Sequence, residues 1–280
     1  MKNFLSMDIE TWAYGDTPEL RALTSAERKA LDAGYVLDST RRVLALLREA
    51  GVKITLFVIG EQLEWYPELG EEILADGHEL GLHAFRHYRI DDLETLRADL
   101  DQAAPQVRRF GIRGYRAPLI HLPEGGLEVL AEHGFTFDSS VYGPFSLAGT
   151  YAGIREVPIS SLMLYGGEAR MALPRHLSFG NILRTGEFPF GASYFVGLLG
   201  GAVRPLIRQM NRRGRPAVVF LHNWQVVPRP AGAFPPPGYV WRHPLYWPLA
   251  RNIAGAFRRL LAEFEFDKMS AAVAAGGDAW

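Results

Sequence analysis

Two histidines four residues apart are the clearest indication of chemistry in this chain. His83 and His87 lie in the stretch GHELGLHAFRH, which contains a short apolar segment just before them. Imidazole is the commonest protein ligand for zinc and related metals, and an i, i+4 pair on a helical turn would direct both rings the same way. The pair therefore predicts a metal site, and a third ligand has to come from a distant part of the sequence.

Polar side chains also follow three other apolar runs of the sequence. Asp8 and Glu10 come after the first run and would project from the same side of an extended segment. Arg116 follows a run in the middle of the chain, and His222 follows the apolar segment Ala217–Leu221. Because the carboxyl ends of parallel strands meet at one edge of a sheet, these groups would gather there with the histidine pair.

Taken one at a time, the same residues have plainer explanations. Carboxylates after a first strand often cap the following helix, and a single histidine or arginine at a strand end is usually held by structural hydrogen bonds or ion pairs. The joint occurrence at four strand ends favours a shared catalytic site. The remaining histidines are predicted to be structural: His78, His121, His133, His176 and His243.

The elements that must position these groups alternate between strand and helix patterns. Short apolar runs are followed by segments whose apolar residues recur at helical spacing. The predicted elements of the first half are Phe4–Met7, Val36–Ala50, Ile54–Ile59, Pro67–Ala75, Glu79–Leu82, Leu93–Phe110, Ile112–Tyr115, Leu127–His133 and Phe135–Phe137. This repetition predicts parallel strands joined by right-handed crossovers, and hence a barrel or an open α/β sheet.

The second half of the sequence is less regular. Residues 140–215 are punctuated by Gly and Pro and are predicted to be an irregular insertion over the site. Pro228–Gly238 holds five prolines and is predicted to be a loop, and Ala250–Phe264 has the pattern of a final amphipathic helix. We predict a single catalytic domain over residues 1–268 and a tail over 269–280.

Composition narrows the classes of function. The formal net charge of −1 comes from 30 basic and 31 acidic residues, which argues against a nucleic-acid partner, and the lack of cysteine excludes thiolate metal ligands. Residues Met1–Asp8 lack the apolar core of a secretory signal, so we expect a cytoplasmic location. Ala192–Val203 is about half of the roughly 20 residues that span a bilayer, and we interpret it as a buried or interfacial segment.

With these residues in this order, the sequence resembles the polysaccharide deacetylases of the NodB homology type, carbohydrate esterase family 4. The resemblance covers residues 1 to 225 and is closest to the branch associated with exopolysaccharide loci. Five motifs carry it: Ser6–Glu10, His83–His87, Arg116–Pro118, Asp138–Ser140 and Phe220–His222.

The resemblance implies an α/β fold, a distorted (β/α) barrel of about seven parallel strands, and a divalent metal, commonly zinc. It implies that Glu10, His83 and His87 are the metal ligands. Two positions depart from the commoner family pattern. Glu10 stands one residue later than the carboxylate of the usual Asp-Asp pair, and Ala84 replaces a Ser or Thr that braces the site.

The same resemblance assigns roles to the other residues. Asp8 would be the general base, Arg116 would orient Asp8, and His222 would protonate the departing amine. The backbone N–H of Leu119 would hold the developing oxyanion. Aromatic residues near the motifs could stack on sugar rings or simply pack in the core or in loops; Trp12, Trp224 and Tyr194 are the predicted substrate-binding residues, and Trp12 and Trp224 are the best candidates because they adjoin the proposed site.

The expected function is therefore metal-dependent removal of an N-acetyl group from an amino sugar in a polysaccharide, an oligosaccharide or a lipid-linked glycan. One alternative is a deformylase or amidase that acts on a lipid-linked amino sugar or a small cyclic amide. Another is a non-haem iron oxygenase, since two histidines and a carboxylate also form its facial triad. The expected partner is a carbohydrate, and peripheral membrane contact stays open because of Ala192–Val203.

Overall fold

The computed structural model describes residues 1–15, 17–165, 169–175, 178–230, 233 and 238–274. Its strands are β1 (Asn3–Ile9), β2 (Thr55–Val58), β3 (Glu79–Leu82), β4 (Gly114–Tyr115), β5 (Phe137–Asp138), β6 (Tyr142–Gly143), β7 (Gly149–Tyr151), β8 (Ile154–Glu156), β9 (Ile159–Ser160), β10 (Leu162–Met163), β11 (Glu187–Phe188), β12 (Val218–His222) and β13 (Phe266–Asp267).

Helices lie between most of these strands. They are α1 (Pro18–Arg21), α2 (Ser25–Asp32), α3 (Tyr35–Ala50), α4 (Gly60–Trp65), α5 (Pro67–Ala75), α6 (Leu93–Phe110), α7 (Gly126–Glu132), α8 (Phe179–Thr185), α9 (Ser193–Leu199), α10 (Val203–Arg212), α11 (Asn223–Val226), α12 (Tyr239–Arg242), α13 (Trp247–Ala250), α14 (Ala254–Glu263) and α15 (Met269–Ala274).

One curled sheet organises the molecule. Its strand order is β12-β1-β2-β3-β4-β5-β8-β7, and β13 also pairs with β1. The first seven strands of this order run parallel, while β7 is antiparallel to β8. The predicted distorted barrel of about seven parallel strands is confirmed, and the carboxyl ends of β1, β3, β4 and β12 meet at one edge.

Strand β1 lies in the middle of the site and is buried along its whole length. It pairs with β12 from Phe4 to Asp8 and with β2 from Ser6 to Ile9. This register places Asp8 directly opposite His222 at the end of β12. Two residues that are 214 positions apart in sequence are thereby brought to the same point of the sheet edge.

Local sequence explains where the longest helices begin and end. The side chain of Asp92 accepts a hydrogen bond from Thr95 N and caps the first turn of α6. Helix α3 buries an apolar stripe that includes Val43 and Leu47, and ends at Gly51. Gly51 has a φ of 67° and donates its N–H to carbonyls of the last turn, a conformation that glycine adopts without steric cost.

Residues 140–215 are more regular than the predicted insertion. β8 and β7 lie in this range and extend the main sheet, and α9 packs against β12. These two strands could not be recognised from sequence, because three residues are too short to show a clear alternation of apolar and polar side chains. The insertion stays a prediction.

The C-terminal region also differs from the prediction. The last long helix begins at Ala254 rather than Ala250, and α15 occupies the first part of the predicted tail. Met269 is fully buried, and its N–H donates to Thr55 Oγ1 at 2.8 Å. Residues 275–280 and most of the predicted loop Pro228–Gly238 lie outside the described residues, and the single-domain organisation stays a prediction.

In the described part of the chain, no helix has both the length and the apolar character needed to cross a bilayer. The segment Ala192–Val203, interpreted from sequence as buried or interfacial, belongs to the core. Phe195 and Val196 of α9 are buried, and Leu198 is the exposed large apolar side chain of this segment.

Candidate active site

A cavity of about 560 Å³ opens at the sheet edge where β1, β3 and β12 end. Nine of the ten predicted site residues line it: Asp8, Glu10, Trp12, His83, His87, Leu119, Tyr194, His222 and Trp224. Arg116, the tenth, is fully buried behind Asp8. The four strand ends therefore form one site.

Three imidazole nitrogens converge on a single carboxylate oxygen at the bottom of the cavity. Nε2 of His83 lies 3.1 Å from Glu10 Oε1, Nε2 of His87 lies 3.3 Å from it, and Nε2 of His222 lies 3.4 Å from it. Glu10 is 5% exposed. The ligand atoms of Glu10, His83 and His87 all lie within 4.8 Å of one another, a spacing that could hold one metal ion.

A hydrogen bond on the far side of the His83 ring fixes its tautomer. Nδ1 of His83 lies 2.8 Å from the carbonyl oxygen of Arg116, and because a carbonyl can only accept, Nδ1 must donate. If the ring is neutral, Nε2 then presents a lone pair to the carboxylate of Glu10. His83 Nε2 and Glu10 Oε1 would then both be acceptors, and a cation between them would stabilise the pair. A metal-ligating histidine also typically donates its other ring N–H to a carbonyl, as His83 does. The residues present therefore fit a divalent metal.

The surroundings of Glu10 favour its charged form. Burial raises the pKa of Glu10, whereas the charges of His87 and His222 and the hydrogen bonds with His222 and His83 together lower it by more. The pKa of Glu10 consequently lies well below its usual range. An ionised carboxylate is the form that binds a metal at neutral pH.

Asp8 is held by a buried arginine. Nη1 of Arg116 donates to Asp8 Oδ1 at 2.7 Å, a distance typical of a charge-assisted hydrogen bond. The guanidinium lies between the rings of Phe57 and Phe220, with its Cζ 4.3 Å and 4.7 Å from their centroids. Asp8 Oδ2 lies 3.9 Å from His83 Nε2, so the second oxygen faces the proposed metal site.

The motif Asp138–Ser140 supports Arg116 from behind. Arg116 Nε donates to the Ser139 carbonyl at 3.0 Å and Nη2 donates to Ser139 Oγ at 2.9 Å. Ser140 Oγ accepts from Ala117 N and donates to Asp138 Oδ1 at 2.6 Å. This motif does not line the cavity, and it acts through the position of Arg116.

The backbone between the two metal-site histidines differs from the prediction. Residues 83–87 form a bend and not a helical turn, and Ala84 has a φ of 58°. The side chain of Asp99 accepts from Phe85 N at 2.7 Å and from Arg86 N at 3.3 Å. Asp99 on α6 therefore braces the loop from the helix behind it. A carboxylate 12 residues beyond His87 gave no recognisable sequence signal.

His222 is oriented by an aromatic neighbour. Its ring stacks on Trp224 with centroids 4.3 Å apart and an interplanar angle of 8°. The guanidinium of Arg229 covers Trp224, with its Cζ 4.2 Å from the ring centroid. Trp224 thus packs against His222 and is also part of the cavity wall.

Asn223 is a site residue that the sequence analysis missed. It is fully buried; its Oδ1 accepts from Glu10 N at 3.2 Å, and its Nδ2 donates to the Glu10 carbonyl at 3.1 Å and to Ser39 Oγ at 2.9 Å. The amide therefore clamps the backbone of Glu10. Its position directly after His222 was the available signal, since a polar residue that follows a buried strand often serves the site.

The outer wall of the cavity is aromatic. Trp12 and Tyr194 line it as predicted, whereas Trp65, another aromatic residue near the motifs, is buried against Tyr14 and does not line it. The sequence analysis assigned no role to part of the wall, which comes from the region after β12: Arg229, Tyr239, Tyr246 and Leu249.

Leu119 lies on the cavity rim in the turn Pro118–Ile120. Leu119 and Ile120 both have positive φ values, 58° and 51°, and Leu119 is 54% exposed. Such strained backbone in non-glycine residues concentrates at functional sites. The role of the Leu119 N–H as an oxyanion donor stays a prediction.

Four of the five histidines predicted to be structural are among the described residues, and these four do not line the cavity. His78 accepts from Ile54 N, His121 pairs with Asp91, His133 contacts the Val129 carbonyl and His243 stacks on Tyr239. The fifth, His176, lies outside the described residues.

Comparison with known proteins finds similarity to the same family that the motifs indicate. Residues 30–137 match the family model for polysaccharide deacetylase, a range that contains the second and third motifs. A peptidoglycan-N-acetylglucosamine deacetylase of Bacillus cereus is 29% identical over 118 residues, which are 41% of this chain and 51% of that protein. A peptidoglycan-N-acetylmuramic acid deacetylase of Bacillus subtilis, PdaC, is 30% identical over 89 residues, which are 32% of this chain and 19% of that protein.

The chain thus spans about half or less of the length of these curated relatives. A solved structure from Mycobacterium smegmatis, described as a candidate polysaccharide deacetylase, superposes with a TM-score of 0.60 at 18% identity and covers 97% of this chain and 88% of its own. That likeness shows the fold. The family match over residues 30–137 and the common fold show that the chain is similar to polysaccharide deacetylases.

Proposed function

We propose that the protein is a metal-dependent hydrolase that removes an N-acetyl group from an amino sugar in a glycan. The observation that carries the proposal is the convergence of His83 and His87 on Glu10, next to an Asp8 that is bound by Arg116. Two imidazoles and a carboxylate leave coordination positions open, which is the pattern of a catalytic rather than a structural zinc site. The relatives named as peptidoglycan deacetylases support the same chemistry.

The metal, when bound, supplies a Lewis acid that polarises the amide carbonyl and acidifies water. Asp8 then removes the proton of the attacking water through Oδ2, the oxygen that faces the ligands. Arg116 holds the other oxygen, Oδ1, at 2.7 Å and keeps the carboxylate in one orientation. A base on a strand that is buried along its whole length is well positioned, because its backbone has no freedom to move.

His222 is the proposed general acid. An amine is a poor leaving group until it is protonated, so the reaction needs a proton donor as well as the base. The stacking of His222 on Trp224 sets the plane of the ring, and the pairing of β1 with β12 sets its distance from Asp8. The Leu119 N–H, on the opposite rim, is the proposed donor to the developing oxyanion.

The aromatic wall is the proposed sugar-binding surface. Trp12, Trp224 and Tyr194 line the cavity, and aromatic side chains are common partners of sugar rings. The relatives named above act on peptidoglycan according to their names, but the chain covers only part of each. The glycan and its length are therefore proposed only as a class, with a lipid-linked glycan included. A cytoplasmic location stays a prediction.

The proposal is tested by product release from amino sugars. Purified protein loaded with zinc is incubated with N-acetylated and N-formylated sugars, both soluble and lipid-linked, and acetate, formate and free amine are measured. We expect acetate, and we expect Asp8→Asn and His222→Ala to lower turnover by about 10²- to 10⁴-fold. His133→Ala, outside the cavity, is the matched control.

Other results of the same assay would replace the proposal. Formate release without acetate release would identify a deformylase. Oxygen uptake that depends on Fe(II), without hydrolysis, would identify an oxygenase. Wild-type turnover in Asp8→Asn would show that Asp8 is not the general base.

A further inference from the structure

The face around the cavity mouth carries large apolar side chains in contact with solvent. Trp241 is 91% exposed, Leu245 67%, Trp247 44% and Leu198 42%. We call these four residues the mouth face. Trp241, Leu245 and Trp247 come from the region α12–α13, which supplies Tyr239, Tyr246 and Leu249 to the cavity wall.

The mouth face is continuous with the inside of the cavity. Helix α13 packs against α9, and Arg251 Nη1 donates to the Leu198 carbonyl at 3.3 Å, so Leu198 lies beside α13. The ring of Tyr239 lies 5.6 Å from that of Tyr246, which lines the cavity. A molecule bound at the mouth face would therefore reach the aromatic wall without crossing an intervening element.

The segment that carries this face has charged side chains of one sign. Residues 188–262 contain ten arginines and no aspartate, glutamate or lysine, although the whole chain has a net charge of −1. The rest of the chain therefore carries a net charge of −11. The sequence analysis compared only the totals of basic and acidic residues, and so missed this 75-residue segment without a carboxylate.

Arginines of this segment border the mouth face. Arg242 is exposed next to Trp241. The Arg251 guanidinium lies over the ring of Trp247 at 5.1 Å and beside Gly200, and the Arg259 guanidinium lies beside Gly201. Exposed tryptophan and leucine with arginine around them are the composition of surfaces that sit in the headgroup region of a bilayer.

From these observations we infer that the mouth face docks the protein on an anionic phospholipid bilayer. Trp241, Leu245 and Trp247 would enter the headgroup region, and Arg242 and Arg251 would contact lipid phosphates. Docking in this orientation places the cavity mouth at the membrane surface. The idea that the bilayer also presents the substrate rests on the function proposed above, whereas docking does not.

Vesicle flotation of the full chain tests the inference. The vesicles consist of phosphatidylcholine, with or without phosphatidylglycerol, and no substrate is present. We expect binding to vesicles that contain phosphatidylglycerol, and a decrease of this binding as salt is raised. Trp241→Ser combined with Leu245→Ser should weaken binding by at least about tenfold, and Arg242→Gln by about fivefold.

Matched controls distinguish binding through the mouth face from nonspecific hydrophobic or electrostatic adsorption to the vesicles. Leu74 is exposed on α5, and Arg213 precedes β12 at the amino ends of the strands, away from the cavity. Leu74→Ser and Arg213→Gln should float like the wild type. Circular dichroism and acetate release from a soluble sugar should be unchanged in Leu245→Ser, so that failure of docking is distinct from failure of the hydrolase proposal.

Three results would overturn the inference. The first is no flotation of the wild type, and the second is equal flotation of the double variant. The third is a concentration-dependent dimer that disappears in Leu245→Ser, which would make the mouth face an interface between two copies of the chain.

Discussion

The side chain of Glu10 is held by histidines at the ends of β3 and β12, and its backbone is held by Asn223, the residue after β12. Its Oε1 receives three imidazoles, while Asn223 bonds its N–H and its carbonyl. This double restraint holds the Glu10 carboxylate next to the three imidazoles of the proposed metal site.

Asn223→Ala tests this restraint. The variant leaves the N–H and the carbonyl of Glu10 without buried partners, which should lower the free energy of unfolding by about 2–4 kcal/mol. Because Glu10 is then free to shift, zinc affinity should also fall by about 10- to 100-fold. Urea unfolding and zinc titration against a competing chelator measure the two effects. Asn252→Ala, at an exposed position, is the control.

Lower stability with unchanged zinc affinity in Asn223→Ala would show that Asn223 stabilises the fold but does not contribute to zinc binding. The spacing of His83 and His87 predicted a metal site, and the family resemblance added Glu10 to the predicted ligands. They could not name Asn223 as the residue that positions Glu10, because an asparagine has many uses and its partner is 213 residues away.

At the scale of elements, the strands and helices of the first half were predictable from sequence. The predicted bounds of Pro67–Ala75, Glu79–Leu82 and Leu93–Phe110 match the structure. These segments have clear periodicity and are bounded by proline or by a capping residue. The bend at 83–87 was not predictable, because it depends on Asp99 from α6 and on the tertiary contact that this carboxylate makes.

The connection between β2 and β3 predicts a pH dependence of stability. Ile54 N–H donates to His78 Nδ1 at 3.1 Å, so this nitrogen must be unprotonated. Burial, with a contribution from Lys53, lowers the pKa of His78 to about 4, from an ordinary value of 6.5. The unfolded chain therefore binds more protons between these values, and stability is lost as the pH falls from about 6.5 toward 4.

His78→Asn keeps an acceptor near the same place but removes the titrating ring. From pH 7 to pH 5 we expect the wild type to lose about 1–2 kcal/mol more unfolding free energy than the variant. Urea unfolding at several pH values measures this difference. Parallel stability profiles for the two proteins would rule out this role for His78.

The crossing of α9 and α13 depends on a glycine. A Cβ at Gly197 would lie 2.0 Å from the Pro248 carbonyl oxygen, so Gly197→Ala must push the two helices apart. We expect a loss of about 1–3 kcal/mol in unfolding free energy. Because α13 carries Leu249 of the cavity wall, KM should rise more than kcat falls.

Gly180→Ala is the control for this prediction, since its Cβ would meet only Ser178 Oγ at 4.0 Å. It should change stability by no more than about 0.5 kcal/mol. If Gly197→Ala matched Gly180→Ala in both stability and KM, the close contact between α9 and α13 would have no effect on the site.

At the scale of the molecule, the fold brings four separated strand ends to one edge of a curled sheet, and the arginine-rich segment supplies part of the wall of the resulting cavity. The order of strands and helices was enough to predict the sheet and its reactive edge. The shape of the aromatic wall was not predictable, since it comes from short helices after β12 that lack a periodic pattern.

The zinc content of purified wild type, Glu10→Ala and His222→Ala tests the central claim most directly. If Glu10, His83 and His87 are the ligands, the wild type and His222→Ala should each retain about one zinc per chain, and Glu10→Ala should retain almost none. His222 also lies 3.4 Å from Glu10, so the comparison separates a proton donor from a ligand. Full zinc occupancy in Glu10→Ala, or loss of zinc in His222→Ala, would contradict the account.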